Sequence, residues 1–238
     1  MNNKCFKNTT AEQAEFLATY LKEVLIANKS VNLTKITDYD EACILHLEDS
    51  LVALPQLAQA IEGPYADIGC GGGFPGVPLG FVSGRETWLV DSRSKKIEQV
   101  KKCIANTCKT LEIQNHSNFH FYAGRIEELA IEKAEYFSVC TARALADTTI
   151  LLELAAPLLK TGGTLICLKS IPTDEEIDNA TKIAPHLGFK IGDVTKFSLS
   201  NGATRQIHTY IKVGASEISL PRRCGKAQKS PLKPKDFK

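Results

Sequence analysis

The stretch ADIGCGGGFPG, residues 66–76, sets five glycines and a proline directly behind a short apolar run. Glycine loses more conformational entropy on ordering than any other residue, so a chain that needed only to fold would not gather them here. Their chemical use is to let backbone approach a ligand that side chains would keep away. Two carboxylates frame the turn. Asp67 stands two positions before Gly69, and Asp91 closes the next apolar run, where it can accept two hydrogen bonds from a ribose diol. The implied ligand is nucleotide-like.

Two spacings fit these residues. Gly71, Gly73 and Gly76 match GxGxxG, the pyrophosphate-binding turn of nicotinamide or flavin enzymes. Asp67, Gly69, Gly71 and Gly73 match DxGxGxG, a turn that resembles the first motif of S-adenosylmethionine-dependent methyltransferases. A purely structural tight turn is the third reading. Asp67 would repel a pyrophosphate but suits a sulfonium and an amino group. Phe74 and Pro75 crowd the place where phosphates want an open helix N-terminus. Asp91 serves either cofactor. Methyl transfer also needs little beyond alignment and exclusion of water. The chain carries no GxSxG, no Asn-Pro-Pro-Tyr-like run, and no Pro-Cys at the strand cysteines Cys140 and Cys167. A nucleophile with its own lone pair, such as guanine N7, requires no general base, so no catalytic acid or base is expected.

The elements that must hold the turn follow from periodicity. Thr10-x-x-Gln13 is a capping box opening an amphipathic helix to about residue 28, and a second helix is expected from about Asp40 to Leu54, stopped at Pro55. From residue 65, the apolar runs YADI, TWLVD, NFHFYAG, YFSVCTA and GGTLICLK alternate with helical stretches at 75–82, 93–111, 125–130 and 145–159. That alternation predicts an α/β, Rossmann-like, mainly parallel sheet. FKIGDVTKF and RQIHTYIKV, joined by SLSNGAT, read as an antiparallel C-terminal hairpin. The expected divisions are a helical extension at 1–62, a sheet core at 63–217 and a basic tail at 218–238.

At 43% hydrophobic and 24% charged residues, the 238-residue chain has the composition of a globular protein with a full core. Its eight scattered cysteines show no metal-ligand spacing, and neither a signal-type apolar run nor a membrane-length segment is present. A reduced, cytoplasmic protein without metal or membrane is expected. The charge is uneven: residues 218–238 hold seven basic residues against one Asp, +6, so the remaining 217 sum to −4 against a total of +2. A basic tail on an acidic body reads either as a solvated terminus or as a clamp for an anionic partner.

Seven segments in order, VNLTKIT (31–37), HLEDSL (46–51), DIGCGGGFPGVPL (67–79), LVDSRSKK (89–96), TARAL (141–145), LKS (168–170) and LPRRCGKAQKSPL (220–232), resemble the bacterial 16S ribosomal RNA (guanine-N7) methyltransferases, the RsmG or GidB family. The resemblance implies the class I S-adenosylmethionine-dependent methyltransferase sheet. It implies cofactor along Gly69, Gly71 and Phe74, its ribose on Asp91, its adenine near Ile126 and Glu127, and a cofactor or substrate contact from Arg143. His46 and Asp49 then read as a wall of the site's mouth; on pattern alone they form a solvated helix face. Lys169, at a strand end, reads as a substrate contact. Arg222 and Arg223 read as phosphate contacts to 16S ribosomal RNA or the small ribosomal subunit. The tail is expected to act on RNA and leave cofactor affinity little changed, because the glycine turn lies in the body. Lys169-Ser170 and Cys224-Gly225 depart from the family's usual Lys-Gly and Pro-Gly. The alternatives are an NAD-dependent Rossmann oxidoreductase and a noncatalytic small-subunit-binding protein.

Overall fold

Thr10 and Gln13 close their capping box at both ends, and α1 (Ala11–Asn28) buries Phe16, Leu17, Tyr20, Leu21 and Val24 along one face. The computed structural model describes residues 5–6, 8–114 and 118–237; the first four residues of the polar N-terminal stretch and the tail's last lysine lie outside them. The helix expected over 40–54 is instead three pieces: α2 (Tyr39–Ala42), a π-helical segment (Cys43–Glu48) and α3 (Asp49–Leu51). Side chains claim the carbonyls of the widened turn: Ser50 Oγ donates to the His46 carbonyl and Arg143 to that of Leu45. Such bulges collect at functional sites. Pro55 does not stop this helix. It lies in the first turn of α4 (Leu54–Gln59), where its missing N–H costs nothing.

The sheet follows the predicted grammar. Five parallel strands, β1 (Tyr65–Ile68), β2 (Thr87–Asp91), β3 (Phe119–Ala123), β4 (Phe137–Arg143) and β5 (Leu159–Lys169), are joined by β6 (Phe189–Ser198) and β7 (Thr204–Lys212) as an antiparallel hairpin. The order is β3-β2-β1-β4-β5-β7-β6, so the winding reverses between β1 and β4. The crevice at the carboxyl ends there is where such sheets bind ligands. α5 (Gly76–Ser83), α6 (Ser94–Thr110), α7 (Ile126–Glu132) and α8 (Thr148–Ala155) are the crossovers. An unanticipated helix, α9 (Asp174–Ile183), fills the connection to the hairpin, with Thr173 as its N-cap.

Two large apolar clusters cover the sheet. One joins α1 to β2, α6 and the glycine turn; the other joins α7, α8 and β5 to the tail. α1 thereby reaches the turn itself: the buried Tyr20 hydroxyl donates to the Gly72 carbonyl at 2.9 Å. The tail is ordered, with a short helix α10 (Lys226–Lys229) whose Ala227 is buried beside Leu232. No described helix is long and apolar enough to cross a membrane. Tyr20→Phe leaves the Gly72 carbonyl buried without its donor and is expected to cost about 1–3 kcal/mol in urea-induced unfolding, with the fold retained.

Candidate active site

The turn after β1 is fastened by the chain's own hydrogen bonds. Gly69 and Cys70 both donate to the Val90 carbonyl, at 2.8 and 2.9 Å, and Gly73 donates to Cys70 at 2.8 Å. Gly69, Gly71 and Gly73 hold φ of 78°, 55° and 86°, the left-handed region that favours glycine. Their surroundings differ. A Cβ on Gly69 would strike Leu145, on Gly73 the Tyr20 hydroxyl, and on Gly76 Leu89 and Asp67, whereas on Gly71 it would meet nothing within 4 Å. Three of the glycines therefore serve close packing, and Gly71 leaves open space beside the backbone.

Asp67 does not face a cofactor, contrary to the expectation from sequence. It is buried beneath the turn, where Oδ2 accepts from Gly76 N at 2.8 Å and Oδ1 from the Thr141 hydroxyl at 2.9 Å, itself bonded to Tyr65 at 2.7 Å. Burial pushes its carboxyl up to about 7, although the bonds from Thr141 and Gly76 oppose the rise.

Beside the turn lies a cavity of about 140 Å³ lined by Gly69, Asp91, Ile126, Glu127, Ala144 and Gln228, among others. Asp91 is partly committed: Oδ2 accepts from Gly71 N at 3.1 Å and Oδ1 from Arg93 N at 2.9 Å. Oδ1 also meets Arg93 Nε at 3.4 Å, so Oδ2 is the oxygen that keeps a further lone pair for a hydroxyl donor. Glu127 is 4% exposed; Oε1 accepts from Gly225 N at 2.7 Å, while the buried Oε2 has no partner among the described residues. An orphaned buried acceptor fits an N–H or O–H donor on a ligand. The open Gly71, the spare lone pair of Asp91 and this oxygen together fit the nucleoside of S-adenosylmethionine. Among the described residues no cluster of three His, Cys, Asp or Glu could hold a metal ion.

A second cavity, about 330 Å³, shares Ala144 with the first and is walled by His46, Asp49, Arg143, Lys169 and Arg205. His46 and Asp49 are buried rather than solvated. The reason is Arg143, which donates to the Leu45 carbonyl at 2.9 Å and to Asp49 Oδ2 at 3.0 Å. Arg205 Nε takes the other carboxylate oxygen at 3.1 Å. The His46 ring lies 4.6 Å from Phe74, nearly parallel, with its Nε2 2.8 Å from Thr34 Oγ1 and its Nδ1 3.4 Å from Arg143 Nη2. Burial and the adjacent Arg143 push its pKa down to about 3, so the ring is neutral at physiological pH. A guanidinium donating to Nδ1 leaves the proton on Nε2, directed at Thr34.

Several residues stand elsewhere than their sequence positions suggest. Phe74, expected along the cofactor, is buried behind His46 and lines neither cavity, and Arg143, expected at cofactor or substrate, lines the second. The Lys169 ammonium is held by Glu176 at 2.7 Å and by the Ala146 carbonyl at 2.6 Å, fastening the loop before α8 to α9. Arg222 is engaged by buried Glu153 at 2.7 and 2.6 Å and so is not free for phosphate, whereas Arg223 is exposed. The tail also reaches the first cavity through Gln228, contrary to the expectation that tail and glycine turn lie apart. Arg205 was not anticipated. Its signal was topological: β7 runs antiparallel to β5, so its first residues lie at the carboxyl edge of the sheet, Gln206 opposite Lys169.

The profile of the family described as "rRNA small subunit methyltransferase G" (GidB) matches residues 13–207. A protein of Oenococcus oeni named ribosomal RNA small subunit methyltransferase G is 33% identical over 98% of this chain and 94% of its own length. A protein of the same name from Desulfitobacterium hafniense is 35% identical over 94% of this chain and 91% of its own. Among solved structures, the CcbJ methyltransferase from Streptomyces caelestis aligns with a TM-score of 0.52 at 14% identity, over 70% of this chain and 95% of that one, a likeness of fold.

The unequal glycines give a paired test. Gly71→Val and Gly73→Val share a positive-φ penalty, but the second must also displace the Tyr20 hydroxyl. Urea unfolding should show Gly73→Val less stable than Gly71→Val by roughly 1–3 kcal/mol, while Gly71→Val, still folded, loses S-adenosylmethionine binding by calorimetry.

Proposed function

The chain belongs to the GidB family of small-subunit ribosomal RNA methyltransferases, and on that premise we propose that it transfers a methyl group from S-adenosylmethionine to N7 of a guanine in 16S ribosomal RNA. The observation that carries this reading is the pair of cavities meeting at Ala144. One offers acceptors suited to a nucleoside; the other offers a flat aromatic and cationic wall suited to a base. Neither the family nor the fold relatives support a nicotinamide oxidoreductase or a noncatalytic binding protein. The partner is 16S ribosomal RNA or the small ribosomal subunit, and the compartment is the cytoplasm where that RNA is found.

S-adenosylmethionine supplies an electrophilic methyl on a sulfonium. Asp91 Oδ2 would accept from a ribose hydroxyl, Glu127 Oε2 from a nitrogen or hydroxyl donor, and the bare backbone of Gly71 would permit close approach. The lone pair of N7 forms the new bond to carbon as the carbon–sulfur pair stays with sulfur, so one positive charge passes to the guanine and no proton moves. A neutral His46 is consistent with that economy, because the site needs a surface rather than a base. The Phe74–His46 stack offers an apolar plane. Two guanidiniums, Arg143 and Arg205, share the single carboxylate of Asp49, which leaves net positive charge for a phosphate or a carbonyl oxygen of the RNA. Unpaired bases are the ones that proteins splay out and stack upon, so the target guanine should lie in a loop. The exposed Arg223, Lys226 and Lys229 stand ready for backbone phosphates, a contribution that weakens with salt.

Mass spectrometry of ribosomal RNA methylated by the purified protein, combined with borohydride–aniline cleavage, should locate the methyl on N7. A methyl on a ring carbon, an exocyclic amine or a ribose hydroxyl contradicts the mechanism. Arg143→Ala should lower turnover by about 10²-fold through lost alignment. Asp91→Ala should weaken S-adenosylmethionine binding by at least about tenfold, since a charge-assisted hydrogen bond of roughly 1.5–3 kcal/mol is at stake; unchanged affinity in a folded variant refutes that assignment.

A further inference from the structure

Beyond β7 the chain is strongly basic, yet two of its groups turn inward. The Gly225 amide donates to Glu127 Oε1 at 2.7 Å, and Glu127 lines the first cavity, its other oxygen buried without a partner among the described residues. Gln228 lines that same cavity; its Oε1 accepts from Arg125 Nη2 at 3.2 Å, and its amide nitrogen has no acceptor among the described residues. The segment carrying them is pinned on both sides. Arg222 grips Glu153 and the Ser230 carbonyl, and Ala227 and Leu232 are buried against α8. A cavity of about 140 Å³ is also smaller than the roughly 300–1,000 Å³ that encloses a drug-sized ligand. With Gln228 in its lining, the tail forms part of the boundary that a nucleoside bound there would meet.

We infer that the tail, residues 221–232, is a wall of the cofactor pocket, with Gln228 as a cofactor-contacting residue and the Gly225–Glu127 bond as the link that transmits occupancy. The inference rests on the methyltransferase reading. Glu127 holds the tail with one oxygen and offers the other to the ligand, so a ligand that fixes this carboxylate also fixes the Gly225 turn. Arg223, Lys226 and Lys229 ride on the same segment and are exposed. Cofactor and RNA then bind with reciprocal coupling, each raising affinity for the other, typically by fivefold or more.

The full-length protein supplies both readouts. Cys224 is exposed while the other seven cysteines are buried, so a maleimide reports on the residue next to Gly225. Saturating S-adenosylhomocysteine should slow Cys224 labelling at least about threefold. By calorimetry, Gln228→Ala, at an exposed position outside the apolar core, should bind S-adenosylmethionine about three- to tenfold more weakly than wild type. Either wild-type affinity in Gln228→Ala or an unchanged Cys224 rate overturns the inference and leaves the methyltransferase reading standing. A wild-type protein that binds no S-adenosylmethionine overturns both.

Discussion

The buried carboxylate of Asp67 governs how the chain leaves β1, and the two cavities depend on that exit. It receives the amide that begins α5 and the hydroxyl of Thr141 on the neighbouring strand. Turn, helix and the switch between β1 and β4 are thus tied at one point. Burying an ionised carboxylate costs several kcal/mol unless its lone pairs are met, and two donors do not fully meet them, which is why the group titrates near 7 instead of its ordinary 3.8. The sign follows: the folded state holds the proton more tightly, so Asp67's contribution to stability is complete below pH 3.8 and is lost as pH rises through about 7.

Above this anchor the site divides by chemistry. Acceptors gather at one cavity, at Asp91 and Glu127; donors and an aromatic ring gather at the other, at Arg143, Arg205 and His46. Ala144 separates them with φ of 51°, an uncommon conformation for a residue with a Cβ. Backbone strain of this kind persists where surrounding structure over-determines it, and it collects at functional sites. Arg143 on one side and Leu145 against Gly69 on the other hold the residue there. The groups that wall the second cavity are fixed by other parts of the chain: Arg143 by Asp49 and the Leu45 carbonyl, Lys169 by Glu176.

What the sequence made legible was local. The capping box at Thr10, the parallel strands, the glycine turn and Asp91 at the end of β2 all announce themselves in short patterns whose physics is confined to a few residues. What it hid was long-range. Nothing near Asp67 indicates that its partners are Gly76 and Thr141, so a carboxylate at a strand end looked like a ligand group. The π-helical segment is met by a residue far along the chain, Arg143, which donates to the Leu45 carbonyl. Arg222 looked like one more tail cation because Glu153, its buried partner, belongs to α8. Pro55 was read as a stop when the turn at Val52 and Ala53 made it a start. Asp67 and Arg222 are alike in this: each is a charged group that another element of the fold has claimed.

The turn after β1 is thus held by the chain's own hydrogen bonds, and hydrogen–deuterium exchange of the free protein, at residue resolution over 69–76, puts that to the test. In the structure Gly69, Cys70, Gly71, Gly73, Phe74 and Gly76 all donate to protein acceptors. Their amides should exchange far more slowly than in an unstructured chain, with no ligand present. Exchange at unstructured rates in the free protein, with protection arising only when S-adenosylmethionine is added, would show that the ligand and not the chain builds the turn.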